Sequence, residues 1–492
     1  MVKRLDLLLI NPGGAKRQVY QKMSEGLSAI EPPFWAALTA GYLRKEGFNI
    51  EIIDANAENL SYTETAEQIE YHNPKLVNVV VYGQHPSAST QLMTSVGNLC
   101  TNIKGLNLSR RILLSGLHPS ALPERTLREE NCDFVCEGEG FYTLKGLLSG
   151  IDLTEIPGLW WRENGNPVHT ERAANVQDLA GTLGDPAWDL LPSLEIYKAH
   201  NWQCLGDLEQ RNFYVSLSTS LGCPNRCDFC SIHKTYGEHR TRFWSPEWVI
   251  RQIDYLVNKK GLRNLKIIDE EFTINPRHFM AIANELIERN YGLNTWAYTR
   301  INNVPDEMQL NSLKDSGFNW LCPGIESADE TVRRDVSKRG YNDDDITIQV
   351  RKMQSAGINV LGNFMFGLPG DNSETMQRTL ALAMDLNCEF SNFYCTIAWP
   401  GSELYDRITK QNIAVPEIWQ DYAQHSMGFI PLPTRYLSPR DILEFRDNAF
   451  HQYFTNPKYL KMIEHKFGQR ALKHIKDMTK IRLKRNILEN ER

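Results

Sequence analysis

The 492-residue sequence contains no run of about 18 apolar residues, so no stretch of it reads as a membrane-spanning helix. It has no Gly-x-x-x-x-Gly-Lys-Ser/Thr loop, and no Gly-x-Gly-x-x-Gly follows the first expected strand. Phosphate-cradling and dinucleotide-binding readings are weak for that reason. The formal net charge is -6, which provides no global positive field to gather nucleic acid. Cysteine is sparse, at 10 residues, and Cys100, Cys132, Cys136, Cys204, Cys322, Cys388 and Cys395 are scattered. Several of these sit in apolar strand-like runs, as reduced, buried cysteines of a cytoplasmic protein do. The N-terminus has a basic start and a short apolar run but no small-residue cleavage site. A first β-strand explains it better than a secretory leader.

What is present centres on one stretch. Residues 221–231 carry Cys223, Cys227 and Cys230 in the spacing C-x3-C-x2-C. A structural zinc site usually takes four ligands as two separated pairs, and a redox C-x-x-C formed by Cys227 and Cys230 needs no third thiol. Three thiolates in one loop suit a four-iron cluster that keeps one iron open.

Upstream, apolar runs alternate with helical patterns. Strands are expected at 5–10, 49–54, 76–82, 111–115 and 133–136, and helices at 34–46, 63–71, 87–103, 121–131 and 141–149. Five strands alternating with helices predict a doubly wound, flavodoxin-like α/β domain over residues 1–150, with ligands bound at the carboxyl ends of the strands. Those ends read Asn11-Pro-Gly-Gly14, Tyr82-Gly-Gln-His-Pro-Ser87, Ser115-Gly-Leu-His-Pro-Ser120 and Cys136-Glu-Gly-Glu-Gly140. Small residues there let backbone approach a ligand.

The run from Ser115 to Glu124 and the run from Asp133 to Gly140 resemble the cobalamin-binding domain that precedes the barrel in a large class of radical S-adenosylmethionine (AdoMet) enzymes. The resemblance implies cobalamin contacts at Asn11, Gln84, His85, Ser87, Gly116, His118, Glu137, Gly138 and Glu139. Many cobalamin proteins carry Asp-x-His-x-x-Gly after the first strand and ligate the cobalt through that histidine. Here Asn11-Pro-Gly-Gly14 stands in its place. The resemblance therefore implies a base-off cofactor with no histidine ligand from the first loop. His85 is the candidate lower-face residue; the alternative is a hydrogen bond to loop backbone or corrin amides. His118 is expected to bind the nucleotide tail or to cap the next helix.

A connector is expected over 151–212, with a β-hairpin around Asn164-Gly165. Trp160, Trp161 and Trp188 are expected to pack between domains rather than to stack on substrate. From 213 to 402, strands recur at 213–220, 264–272, 295–300, 318–327, 360–370 and 390–401, with helices between. That repetition argues a barrel or open barrel with its site at the carboxyl ends of the strands, and it resembles the partial (β/α)6 barrel of the radical AdoMet class. In the resembling enzymes the three cysteines bind a [4Fe–4S] cluster, and the open iron chelates AdoMet. The resemblance implies an adenine-facing role for Phe229. Asp269, Glu270 and Glu271 can accept from the AdoMet ammonium or ribose, and the sequence does not distinguish among them. Arg300 can pair with the AdoMet carboxylate, and Glu326 resembles a position near AdoMet. Two positions depart slightly from the family pattern, Asp371 and Ser402.

Residues 403–492 read as helical, with helices at 439–454, 459–467 and 469–488. The last carries Lys473, Lys476, Lys480, Arg482, Lys484 and Arg485, either as a solvated face or as an attachment to an anionic membrane or a carrier. Trp419, Tyr422, His425 and Tyr436 are candidates for substrate specificity. The resemblance implies a cobalamin-dependent radical methyltransferase that acts on an unactivated carbon of a small molecule or lipid, with flavodoxin or ferredoxin as electron donor. A radical cyclase or rearrangement enzyme with the same cofactors is the second reading. A cobalamin and iron–sulfur redox or sensor protein is the third.

Overall fold

The computed structural model describes residues 5–13, 19–24, 26–82 and 86–489, with only the backbone of Pro86 and Ser87. The first sheet contains β1 (Leu7–Asn11), β2 (Ile50–Asp54), β3 (Leu76–Val81), β4 (Ile112–Gly116), β5 (Phe134–Cys136), β6 (Leu159–Glu163) and β7 (Asn166–His169). Its order is β2-β1-β3-β4-β5-β6-β7. The first five strands are parallel, and the β6–β7 hairpin adds antiparallel to β5. The five-strand order is the flavodoxin-like one. Every residue of β3 is buried, as expected for a strand covered on both faces by helices. The hairpin turns through Asn164 and Gly165, both at positive φ. Because it extends this sheet, Trp161 lies opposite Phe134 and Trp160 stacks on His169; Trp188 is the one of the three tryptophans that packs between the domains.

Local signals account for the helix limits. Ser61 and Glu64 form a capping box at the start of Tyr62–His72, and Asn73 ends that helix in the left-handed region. The helix expected at 121–131 is two pieces, Leu117–Ala121 and Pro123–Glu129. Pro123 disfavours helical backbone at Leu122, which adopts φ -133 instead.

The second sheet holds β8 (Tyr214–Leu217), β11 (Asn264–Ile267), β12 (Asn294–Arg300), β13 (Phe318–Glu326), β14 (Asn359–Phe366) and β15 (Phe390–Cys395), all parallel, in the order β15-β14-β13-β12-β11-β8. Between β8 and β11 lie two short strands, β9 (Ser220–Leu221) and β10 (Arg242–Phe243), which pair antiparallel and close the cysteine loop. The sheet curls into a barrel that is left open between β8 and β15.

The first domain and the connector fill that seam. Ile30 pairs with Lys198, and Glu31 enters the barrel, where its carboxylate meets Lys266 Nζ (2.9 and 3.1 Å), His200 (3.1 Å), Tyr214 (3.1 Å) and Ser216 (3.0 Å). Trp202 packs against Trp296, Trp320 and Phe390 beside this cluster.

The C-terminal region differs from expectation. Pro439–Phe454 is helical as expected and its Tyr453 packs on Phe393 of β15. The next two helical stretches, within Pro457–Met478, meet at the expected break, a non-helical Gly468, but the second stops well before residue 488. The segment beyond Met478 satisfies its backbone through tertiary contacts: Gln21 binds the carbonyl of Lys484, and the Asn486 N–H binds that of Met427. Arg485, expected on the basic face, is buried. It donates to Asp447 (3.0 Å) and the Gln424 carbonyl (2.9 Å). Among the described residues no helix is long and apolar enough to cross a membrane.

Candidate active site

The cysteine loop leaves the carboxyl end of β8 and returns through β10. Cys223, Cys227 and Cys230 are half-buried and unpaired by disulfides. Burial pushes the Cys223 thiol up to about 11 and the Cys230 thiol up to about 12, so as free thiols both stay protonated near neutral pH. A metal that binds thiolates reverses that preference. Among the described residues no three His, Cys, Asp or Glu side chains converge as a single-ion site would require. Three thiols from one loop, with no second pair of ligands beside them in the loop, fit a cluster that keeps one iron open.

The three acids after β11 have separate surroundings. Asp269 is buried and accepts from Thr219 N (2.6 Å), Thr219 Oγ1 (2.5 Å) and Ser220 Oγ (2.7 Å), so it clamps the turn between β8 and β9. Glu271 accepts from Asn225 Nδ2 (2.8 Å) and from Asn303; the same Asn225 amide lies 3.2 Å from Cys223 Sγ. Glu270 keeps a buried oxygen, Oε2, with no hydrogen-bond partner. Burial, and then the charge of Asp269, push its carboxyl up to about 8. Of the three it alone retains an idle buried acceptor.

Arg300 ends β12 and places Nη1 3.3 Å from Cys227 Sγ, with Nε 3.1 Å from Asn302. Glu326 ends β13 at a register shift and at φ 64, a conformation that costs a non-glycine residue free energy. It pairs with the buried Lys338, while its Oε2 has no partner. Lys338, in a loop, is a partner of Glu326 that nothing in the sequence singled out. Phe229 packs against two small apolar clusters, one holding Met365 and Leu368, the other Leu122 of the first domain and Leu404.

At the carboxyl edge of the first sheet, a Cβ on Gly116 would lie 2.2 Å from the Val81 carbonyl oxygen, so only glycine fits there. Ser120 joins two strand ends by accepting from Gly138 N (3.1 Å) and donating to Gly138 O (3.2 Å). Asn11 donates to Asp54 (2.7 Å). His118 is buried against Thr90 (3.1 Å) and edge-on to Trp419 (4.5 Å); burial holds its imidazole down at about 3, so it is neutral. Glu137 accepts from Trp160 Nε1 (2.9 Å). Glu139 is buried, accepting from Val176 N (2.8 Å) and from Arg242 of β10. Gln84 and His85 lie outside the described residues, as does the side chain of Ser87. Tyr82 Oη, just after β3, is buried without a partner, and the edge offers small residues and backbone, its carboxylates Glu137 and Glu139 being already engaged by Trp160 and Arg242. Such a surface suits a large cofactor rich in amides.

The cysteine loop is fastened to this edge. Besides the Glu139–Arg242 pair, Trp35 lies 6.0 Å from Tyr236 between ring centres, and Arg172 and Asn175 hold the Thr235 and Tyr236 carbonyls. Of the C-terminal candidates, Trp419 and Tyr422 are buried. Trp419 donates to Glu129 (3.2 Å) and lies under Arg125 (4.2 Å). His425 lies 5.8 Å from Tyr20 between ring centres, and Tyr436 is exposed.

A B12 binding domain model matches residues 27–148, and a Radical SAM superfamily model matches residues 217–383. The chain is a radical SAM enzyme that carries a B12-binding domain. It is 26% identical over 434 residues to an uncharacterized methyltransferase of Pyrococcus horikoshii, covering 87% of this chain and 89% of that one. It is 24% identical over 388 residues to the anaerobic magnesium-protoporphyrin IX monomethyl ester cyclase of Rubrivivax gelatinosus, covering 77% of this chain and 66% of that one. Its fold is similar to that of the radical S-adenosylmethionine methyltransferase TsrM from Kitasatospora setae, with a TM-score of 0.70 at 18% identity, covering 93% of this chain and 90% of that one. The cofactors of these domains are a [4Fe–4S] cluster, AdoMet and cobalamin.

Proposed function

We propose that the protein transfers a methyl group to an unactivated carbon of a small molecule, by cobalamin-dependent radical AdoMet chemistry. The observation that carries this reading is the attachment of the three-thiol loop to the carboxyl edge of the first sheet, through Glu139 and Arg242. Two sites tied together in this way serve a reaction that needs both cofactors. When bound, these supply a hydrogen-abstracting radical and a transferable methyl group; the protein positions them and excludes water.

We assign Cys223, Cys227 and Cys230 to the cluster. Glu270, with its idle oxygen, accepts from the AdoMet ammonium or ribose, while Asp269 and Glu271 hold the loops around it. Arg300 pairs with the AdoMet carboxylate, Glu326 and Lys338 frame the same mouth, and Phe229 faces the adenine. Asn11, Gly116, His118, Glu137, Gly138 and Glu139, with Gln84, His85 and Ser87, form the cobalamin edge. Flavodoxin or ferredoxin delivers the single electron, in the cytoplasm.

Anaerobically reconstituted enzyme given AdoMet deuterated in its methyl group should form 5′-deoxyadenosine, S-adenosylhomocysteine and a deuterated product. Changing any of the three cysteines to Ala should abolish AdoMet cleavage and the cluster's visible absorbance; retained cleavage refutes the assignment. The similarity to a cyclase favours a second reading, cyclisation or rearrangement with the same cofactors. In that case 5′-deoxyadenosine appears without S-adenosylhomocysteine.

A further inference from the structure

The inner wall of the barrel is not closed. Along β12, β14 and β15, residues on one face are fully covered while their alternating neighbours remain partly accessible: Tyr298, Asn363, Met365, Asn392 and Tyr394. Period-two alternation assigns these five to a single face of the sheet. The opposite face carries Phe366 and Phe393, which pack under the C-terminal helix through Phe445 and Tyr453. The accessible face is therefore the lumen. Register aligns Arg300 with Gly324, Gly324 with Asn363, and Asn363 with Asn392, which puts the chamber beside the Arg300 and Glu326 mouth. Trp296 and Lys266 lie deeper on the same inner face and close the floor.

The chemistry of this wall is polar without charge. Asn392 Nδ2 donates to Asn363 Oδ1 (3.1 Å), and Asn363 Nδ2 donates to the Pro323 carbonyl (3.2 Å). That chain leaves the Asn392 carbonyl oxygen as an acceptor facing the lumen. The hydroxyls of Tyr298 and Tyr394 have no hydrogen-bond partner among the described residues, and burial raises the pKa of both phenols, so they remain donors. The charges nearby are already matched: Lys266 with Glu31 in the floor, and Lys338 with Glu326 at the mouth. Arg300 lies against Cys227. Arg446, whose charge reaches Tyr394, is likewise matched by Asp447, and no ionised side chain of β13, β14 or β15 faces the chamber below Glu326. Among the described residues a charged ligand would be desolvated below Arg300 with no free counter-charge, whereas an uncharged one regains the hydrogen bonds it loses from water.

We infer that this chamber is the substrate subsite, and that its substrate is an uncharged small molecule which accepts hydrogen bonds from Tyr298 and Tyr394 and donates one to Asn392. Met365 supplies the soft apolar contact beside them. The inference rests on the enzyme reading above and specifies the substrate class for it.

The test uses the reconstituted holoenzyme, methyl-deuterated AdoMet, and a small-molecule extract of the cells that make the protein, split by ion exchange into anionic, cationic and uncharged fractions. The uncharged fraction should raise the rate of 5′-deoxyadenosine formation over the extract-free blank, and the charged fractions should not. Tyr298→Phe and Asn392→Leu should each raise the amount of that fraction needed for half-maximal stimulation by about five- to tenfold, the effect of one lost hydrogen bond. Tyr71→Phe, on the exposed surface, should shift nothing. Stimulation confined to a charged fraction, stimulation by no fraction, or wild-type half-saturation in both chamber variants overturns the inference. Stimulation by the uncharged fraction with no deuterated methyl in any product refutes methyl transfer and leaves the substrate class standing. If the enzyme cleaves no AdoMet, the same fractions are compared by the rise they cause in the unfolding midpoint. A rise with the uncharged fraction alone supports the inference, and any other pattern overturns it.

Discussion

Replacing Lys266 by Met should cost more than any other single change in the barrel floor. Lys266 is 1% exposed and its partner Glu31 is 7% exposed. Burial alone would raise the Glu31 carboxyl, but Lys266, and then His200, override it and hold it down at about 2. Burial lowers the pKa of His200 itself, so that it acts as a neutral donor rather than a second cation. Met fills much of the lysine's volume and removes only the charge and its hydrogen bonds. An unpaired buried carboxylate costs about 3–5 kcal/mol. If all 492 residues unfold together, the unfolding entropy is about 1 kcal/mol per kelvin, so the midpoint should fall by about 3–5 °C at pH 7. The sign with pH follows from linkage. In the parent chain the Glu31 contribution is complete above the ordinary carboxyl value of 4.5 and is lost as pH falls toward 2. In the variant the burial effect dominates and the carboxyl takes up its proton at higher pH. The deficit should therefore shrink steadily as pH is lowered from 7 to 4. Glu31→Gln combined with Lys266→Met should recover at least half the loss. Thermal melts of the four proteins from pH 4 to 7 measure all of this. A single-variant shift under 1 °C, or a deficit independent of pH, refutes the reasoning.

Burial raises the Asp54 carboxyl to about 6 although Tyr197, Ala57 and Asn11 donate to it, so stability should decline as pH rises from about 4 to 6, by about 3 kcal/mol. Asp54→Asn should abolish that slope in melts across the same range. Gly401 sits at φ 88, and a Cβ there would lie 2.8 Å from the Ala121 Cβ of the first domain. Gly401→Val should destabilise by about 2 kcal/mol or more and quicken proteolysis between the domains, and an unchanged digestion pattern would argue against tight docking there. Gly468 has open space around it but adopts φ 83 and ψ -179. Gly468→Ala should cost about 1–3 kcal/mol from backbone strain alone, read by urea unfolding.

Parallel strands could be read from the sequence because each is a short apolar run followed by a helix with its own stop, as at Gly47, Asn73 and Asn290. The cysteine loop stood out because three thiols within eight residues have few uses. The division of labour among Asp269, Glu270 and Glu271 was not legible: it depends on Thr219, Asn225 and Asn303, which only the fold brings alongside. The lumen wall was hidden for a different reason. In a fully covered strand the inward and outward positions look alike, and Asn363 or Tyr394 reads as any polar interruption. The helix expected to reach residue 488 failed because tertiary partners, among them Asp447 for Arg485, outweigh local propensity.

The boundary expected near residue 212 divides the sequence more cleanly than it divides the free energy. The barrel is open between β8 and β15, and Ile30, Glu31, His200 and Trp202 fill the gap from the other side of that boundary. A chain beginning at residue 213 would leave Lys266 as a buried cation without Glu31, and Trp296 and Trp320 without the Trp202 ring between them. The charge alone costs several kcal/mol, and losing a large buried aromatic adds about 3–5 kcal/mol, together comparable with the 5–15 kcal/mol that keeps a domain folded. Residues 213–492 expressed alone should therefore lack a cooperative thermal transition and should regain one when residues 1–212 are supplied in trans. A sharp transition in the isolated barrel would mean that its seam closes without the first domain. The same contact that completes the barrel also fixes its orientation to the carboxyl edge of the first sheet, so folding and the placing of the cysteine loop against that edge are one requirement on the sequence.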